Sequence, residues 1–266
     1  SSNGIKVDTQ APSSSVAVVS DYYNQVFWDQ SIQIQGSAVD GTNESGLVSV
    51  EITIQNTSNG NYYNGDGWRT EATWLTPQGT DTWSFDLPSG ELIDGNDYVI
   101  TSRSTDAVGN IQTEYGQDSF TYDNSEPESF IELAELFYGP IVWDSETVIQ
   151  GTAYDAYSGI GTVDVSLGDE TGGGSIWNGV EWTFENHWFR AEGQENWTFP
   201  IGSSIFTDGH QYTIQIRSTD LTGNQETNPR TSYFTFDSSL PTSEVRIDRE
   251  FYNTNNWSDV NSISGV

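Results

Sequence analysis

The chain has 266 residues with 39 acidic and 8 basic side chains, a formal net charge of −31, which argues against nucleic acid as a partner because phosphate contacts need a basic face. It has no cysteine and no methionine, so disulfides, thiol nucleophiles and cysteine metal sites are excluded. No stretch approaches the roughly 20 apolar residues of a membrane span. The acidity suits a solvated extracellular surface, where salt or divalent cations relieve its self-repulsion.

In chain order the first landmark is Asp8-Thr-Gln-Ala-Pro12, whose D-x-x-x-P frame returns at Asp123 to Pro127 and at Asp237 to Pro241. Tyr23, Tyr138 and Tyr252 follow at a constant offset, then Trp28, Trp143 and Trp257, then Gly36, Gly151 and Gly265. Self-similarity at a fixed period marks one folding unit strung in series. The frame divides the chain into residues 1–8, a last strand of a preceding repeat, then 9–125 and 126–239, two full units, then 240–266, the opening strands of a third. We read the chain as a segment of a longer protein. Were it a whole subunit, the unpaired ends of neighbouring molecules would complete one another by strand addition, head to tail.

Within a unit, short alternating segments dominate. Ile32, Ile34, Gly36 and Ala38 are expected on one strand face, and Val48, Val50, Ile52 and Ile54 on the next, matched by Val163, Val165 and Leu167. Trp83 with Phe85 and Trp197 with Phe199 follow, then Tyr98 with Ile100 and Tyr212 with Ile214 and Ile216. Turn clusters such as Asn64 to Gly67, Asp94-Gly-Asn96 and Gly172 to Ser175 separate them. No segment sustains a capped helical period. The fold class is therefore all-β, a tandem of two-sheet sandwiches. Leu92 lies six residues before Tyr98, and Phe206 six before Tyr212, each pair bracketing an Asp-Gly turn; this spacing matches a tyrosine corner.

Arg103-Ser-Thr-Asp-Ala-Val-Gly-Asn110 and Arg217-Ser-Thr-Asp-Leu-Thr-Gly-Asn224 resemble the A-T-D-x-x-G-N signature of immunoglobulin-like repeats in large bacterial and archaeal surface proteins. Ala153-Tyr-Asp155 through Gly159-Ile160 resembles the companion A-x-D-x-x-S-G turn, which Ala38-Val-Asp40 through Gly46-Leu47 carries with two extra residues. The resemblance implies that the all-β units are tandem immunoglobulin-like, Greek-key β-sandwiches with short linkers, and a role in adhesion, surface layers, sheaths or filaments, with neighbouring repeats or other copies as partners. It implies no reaction.

Asp40, Asp106, Asp155 and Asp220 each enter a Gly-containing turn, while Asp8, Asp123 and Asp237 fall between units. Two readings stay open for all seven. Calcium takes six to eight oxygen ligands, which such loops can supply; an Asx-turn needs only backbone N–H groups for each carboxylate. A cation at the linker aspartates would stiffen the rod. Trp68 and Trp182, Trp74 and Trp188, and Trp83 and Trp197 recur; rings in a row can form a flat sugar-stacking platform, and core or cross-strand packing accounts for them equally. Trp177 and His187 read as peculiar to the second unit, and Trp177 with Trp68 are the residues to replace in a test for sugar binding. Asn43, Asn56, Asn196 and Asn256 begin glycosylation sequons. Two histidines and no nucleophile-elbow motif leave catalysis without support.

The expectation is a non-enzymatic structural or adhesive segment of an extracellular or cell-surface protein, with calcium and glycans as its small partners. The alternative is a carbohydrate-binding or spacer module pair of a secreted multidomain hydrolase.

Overall fold

A computed structural model describes residues 5–30, 32–41, 44–133, 135–145, 149–246 and 264–265. In the first unit the strands are β1 (Ser13–Val18), β2 (Tyr22–Tyr23), β3 (Ile34–Val39), β4 (Leu47–Asn56), β5 (Asn61–Tyr63), β6 (Trp68–Arg69), β7 (Gln78–Gly79), β8 (Thr82–Phe85), β9 (Asn96–Asp106) and β10 (Gly116–Tyr122). They form two sheets, ordered β1-β3-β8-β7 and β2-β10-β9-β4-β5-β6. The first strand thus changes sheets. β1 runs antiparallel to β3, and the chain then crosses so that β2 lies parallel to β10. This is an immunoglobulin-like sandwich.

The second unit repeats the plan with β11 (Glu128–Glu132), β12 (Phe137–Tyr138), β13 (Gln150–Tyr154), β14 (Ile160–Asp169), β15 (Ser175–Trp177), β16 (Trp182–Thr183), β17 (Phe189–Arg190), β18 (Glu192–Gly193), β19 (Asn196–Thr198), β20 (Gln211–Asp220) and β21 (Arg230–Phe236). A final pair, β22 (Val245–Arg246) and β23 (Ser264–Gly265), sets Val245 opposite Gly265, as Val16 faces Gly36 and Ile131 faces Gly151. Residues 5–12 carry no assigned strand, and the rest of the expected last strand, residues 1–4, lies outside the described residues.

Each core is aromatic and closed by repeated side-chain devices. Trp28 and Trp143 are buried and donate their indole N–H to Leu87 O at 2.8 Å and Ile201 O at 2.6 Å. They enter the core from short helices that no periodicity could announce, α1 (Gln25–Trp28) and α2 (Pro140–Ser145). The tyrosine corners are present: the Tyr98 and Tyr212 hydroxyls accept the Ile93 and Thr207 N–H groups, both at 2.7 Å. Burial pushes the Tyr98 phenol up to about 12. Gly36 and Gly151 lie where a Cβ would strike the facing strand's carbonyl and the indole of Trp83 or Trp197.

Two expectations need correction. Ile32 precedes the strand and is exposed, because β3 begins at Ile34. Val48 points to solvent while Leu47 packs on the core, because the pairing of β4 with β9 shifts register between Leu47 and Ser49. One extra residue reverses the alternation. Val50, Ile52 and Ile54 face the core as expected.

Candidate metal centre

Strand parity delivers the aspartates. On β9 the inward residues run Tyr98, Ile100, Ser102, Ser104, Asp106, all essentially buried, so the core face becomes polar toward one end and finishes on a carboxylate. β20 does the same through Tyr212, Ile214, Ile216, Ser218 and Asp220. The buried hydroxyls are satisfied by one residue per unit. Gln112 Oε1 accepts from Ser14, Ser104 N–H and the Ser104 hydroxyl at 2.7, 3.1 and 2.9 Å. Glu226 takes that place against Ser129 and Ser218.

Three carboxylates then converge at the junction of the two units. Asp123 follows β10, and its N–H donates to Tyr23 O at 2.8 Å. Its carboxylate accepts Ser125 N–H at 3.1 Å and Ser158 N–H at 3.0 Å. Asp155 Oδ1 accepts the N–H groups of Tyr157, Ser158 and Gly159 at 3.0, 2.9 and 2.8 Å, whereas its Oδ2 is buried without a partner. Asp220 Oδ1 accepts Gly223 and Asn224 N–H at 2.7 and 2.8 Å, and Oδ2 accepts the Asn224 amide at 2.7 Å. One oxygen from each of the three lies within 4.8 Å of the others.

The same arrangement opens the first unit. Asp8, Asp40 and Asp106 bring one oxygen each within 4.8 Å of one another. Asp8 accepts Gln10 and Ser45 N–H at 3.0 and 2.7 Å, Asp40 accepts Gly46 N–H at 2.7 Å, and Asp106 accepts Asn110 N–H at 2.8 Å. The Asx-turn and the cluster are therefore not rivals. Backbone N–H groups fix each carboxylate, and the fixed carboxylates face one another.

The electrostatics differ between the clusters. Burial pushes Asp123 above its usual value, and the neighbouring Asp155 and Asp220 charges push the same way. At the exposed entrance, hydrogen bonds from Ser45 hold Asp8 down to about 2, while Glu44 is raised by sharing a hydrogen bond with Asp8. Asp106 is pushed up by burial but ends below its usual value because Asn110 donates to it. Like-charged carboxylates this close repel one another, and each shared site favours a proton or a cation.

The donors fit a hard divalent cation. They are oxygen only, with no histidine in either set, and calcium binds oxygens at about 2.3–2.6 Å, so ligands on opposite sides of one ion sit about as far apart as these. The orphaned Asp155 Oδ2 is a buried acceptor of the kind such an ion satisfies. Asp237 is exposed and makes the same local turn with Ser239 N–H at 2.9 Å; residues 247–263 lie outside the described residues.

Several partners had no sequence signal beyond their repetition. Asp94 accepts Asn124 N–H at 2.6 Å and the Ser125 hydroxyl, and Asp208 does the same for Ser238 and Ser239. Each fastens the linker that leaves its unit.

The remaining candidates take defined places. Trp68 and Trp177 pack on the cores, paired with Tyr63 and Trp182 at ring separations of 5.6 and 5.5 Å. Trp177 is thus not peculiar to the second unit. Tyr63 holds the equivalent position, facing Trp68 across β5 and β6 as Trp177 faces Trp182 across β15 and β16. His187 lies against Phe189. Trp74 and Trp188 carry the guanidinium groups of Arg103 and Arg217 at 3.9 and 4.2 Å. Asn56 is fully buried and reaches the Tyr98 hydroxyl, so the folded chain closes that sequon; Asn196 is exposed, and Asn43 and Asn256 lie outside the described residues. Among the described residues, no helix is long and apolar enough to cross a membrane.

No family model matches the chain, and no curated relative matches it. Among solved structures it is similar to a 1.5-MDa bacterial ice-binding adhesin, described for host cell surface retention, at 17% identity and a TM-score of 0.43, covering 90% of this chain and 70% of that one. It is also similar to a calcium-stabilised adhesin with which an Antarctic bacterium binds ice, at 19% identity and a TM-score of 0.37. A tetra-tandem repeat from the extending region of a large adhesion protein matches at 16% identity and a TM-score of 0.35. For both of these, 90% of this chain aligns with 52% of the other, so it spans about half their length.

Proposed function

We propose that the chain is a non-enzymatic, structural or adhesive stretch of a large extracellular repeat protein, in which sandwich units act as spacers and calcium bound at their junctions stiffens the series. The observation that carries this reading is the tri-aspartate cluster at the linker. Asp123 comes from between the units, Asp155 and Asp220 from two turns of the following unit, and the set repeats as Asp8, Asp40 and Asp106. A cation shared by linker and turns would join what the covalent chain alone leaves free to swivel. The net charge of −31 supplies the long-range attraction. Neighbouring repeats are the partners this reading names, and Asn196 is the sequon open to a glycan.

Thermal unfolding in calcium and in chelator tests it. A melting temperature that rises with calcium, saturably and more than with magnesium, supports it. Superimposable curves remove the cation, and intact mass without added hexose at Asn196 removes the glycan.

A further inference from the structure

The two units also touch without using a carboxylate. Asn24 caps α1 at the far end of the first unit, where its Oδ1 accepts Phe27 N–H at 2.8 Å. Its amide nitrogen crosses the junction and donates to Thr222 O at 3.0 Å and Asn224 Oδ1 at 3.1 Å. On a different turn, Tyr157 of the second unit lies over Gly95 of the first, so closely that a Cβ at Gly95 would overlap the phenol ring. Gly95 has a φ of +74° within the Asp94-Gly-Asn96 turn, which itself holds the linker through Asp94. A glycine is therefore needed there both for its backbone and for the flat seat it offers the ring.

We infer that a second fastener, independent of any cation, fixes the angle between the first two units: the Asn24 amide arm on the Thr222–Asn224 turn and the Tyr157 ring on Gly95. Together with the linker they make three points of attachment from three separate elements, and three points that are not in line orient one body against another. Neither contact carries a net charge, so neither depends on metal or weakens with salt. The arm is also specific to this junction. The second unit has Gly139 where the first has Asn24, so its own far end lacks the amide.

This goes beyond the calcium reading, and one experiment separates the two. The chain has no cysteine, so Gln117→Cys and Thr231→Cys, at exposed and equivalent strand positions, place one spin label on each unit. Pulsed dipolar spectroscopy then reads the spread of distances between them. The fastener predicts a single narrow distribution in chelator for the labelled parent. In Tyr157→Ala with Asn24→Gly, the chelated distribution broadens at least about twofold and recentres. Glycine is the residue that the second unit itself carries at the Asn24 position, and Tyr157 is half exposed, so both units should keep their tryptophan fluorescence and fold. A chelated parent as broad as the double variant overturns the inference. Broadening of the double variant that calcium does not reverse upholds the fastener and counts against the cation; broadening that calcium reverses upholds both.

Discussion

The Asn224 side-chain amide donates to the main-chain carbonyl of Asp123 at 3.0 Å, across 101 residues of sequence. Asn110 does the same to Gln10 O at 3.0 Å, across 100 residues. The asparagine that ends each Asp-x-x-Gly-Asn turn therefore grips the entering linker as well as its own aspartate, Asp220 or Asp106. Asn224→Ala leaves the Asp123 carbonyl and Asp220 Oδ2 short of a donor, at a cost of about 1–3 kcal/mol. Thermal unfolding should place that loss in the second unit, with the first unit's transition unmoved.

Asp155→Asn separates the turn from the cluster. Its Oδ1 accepts three backbone N–H groups while Oδ2 has no partner. The amide keeps the acceptor and sets an N–H₂ group where the orphaned oxygen stood, facing Asp123 and Asp220. One negative charge is removed and the turn is preserved. The variant should melt higher than the parent in chelator and lose the parent's response to calcium. A variant that is less stable in chelator would show that Asp155 is held by something other than its turn.

The aspartates were legible because the chain states them repeatedly at one spacing, and parity from Tyr98 or Tyr212 carries Asp106 and Asp220 to the buried strand end. Their convergence was not legible, since it depends on two turns and a linker meeting in space. Glu44 was hidden for another reason: it lies in the two-residue insertion that the second unit lacks. The bulge that exchanges Leu47 for Val48 adds one residue without altering the composition of the strand. Tyr63 is the counterpart of Trp177 with no match in the letters, because tyrosine and tryptophan fill the same place. The tyrosine corners could be read from spacing alone, because the phenol must reach a main-chain N–H a fixed distance upstream.

Acid should act in two opposite senses. Asp8, held at about 2, and Asp106, Asp144 and Asp208, each held below 3.8, stabilise the folded chain above that value and lose this contribution as pH falls through their folded values. Asp123 is raised, so its ionised form costs stability at neutral pH, and the cost fades as acid protonates it above pH 3.8. Calcium-stripped protein should therefore gain stability slightly on mild acidification and lose it on approach to pH 2. With calcium bound, mild acid should only destabilise, because protons compete for the same oxygens. Melting temperatures across a pH series with and without calcium report that reversal of sign.

Gly151→Ala tests the core at one of the two places, Gly36 being the other, where a strand and an indole meet with no space between them. A Cβ there would overlap Phe130 O and stand 2.6 Å from Cζ2 of the Trp197 ring. Trp197 is buried and its indole N–H donates to Thr152 O at 3.2 Å, so moving the ring also breaks that bond. The pairing of β11 with β13 must open or the indole must leave the core; overpacking of this kind costs about 1–3 kcal/mol, and the lost bond adds about 1 kcal/mol. The second unit should unfold earlier while the first keeps its transition. Tryptophan emission should shift to longer wavelength in the native baseline if the indole is displaced, and stay fixed if the strands part instead. An alanine variant as stable as the parent would mean that β11 and the Trp197 indole yield to the added methyl without cost.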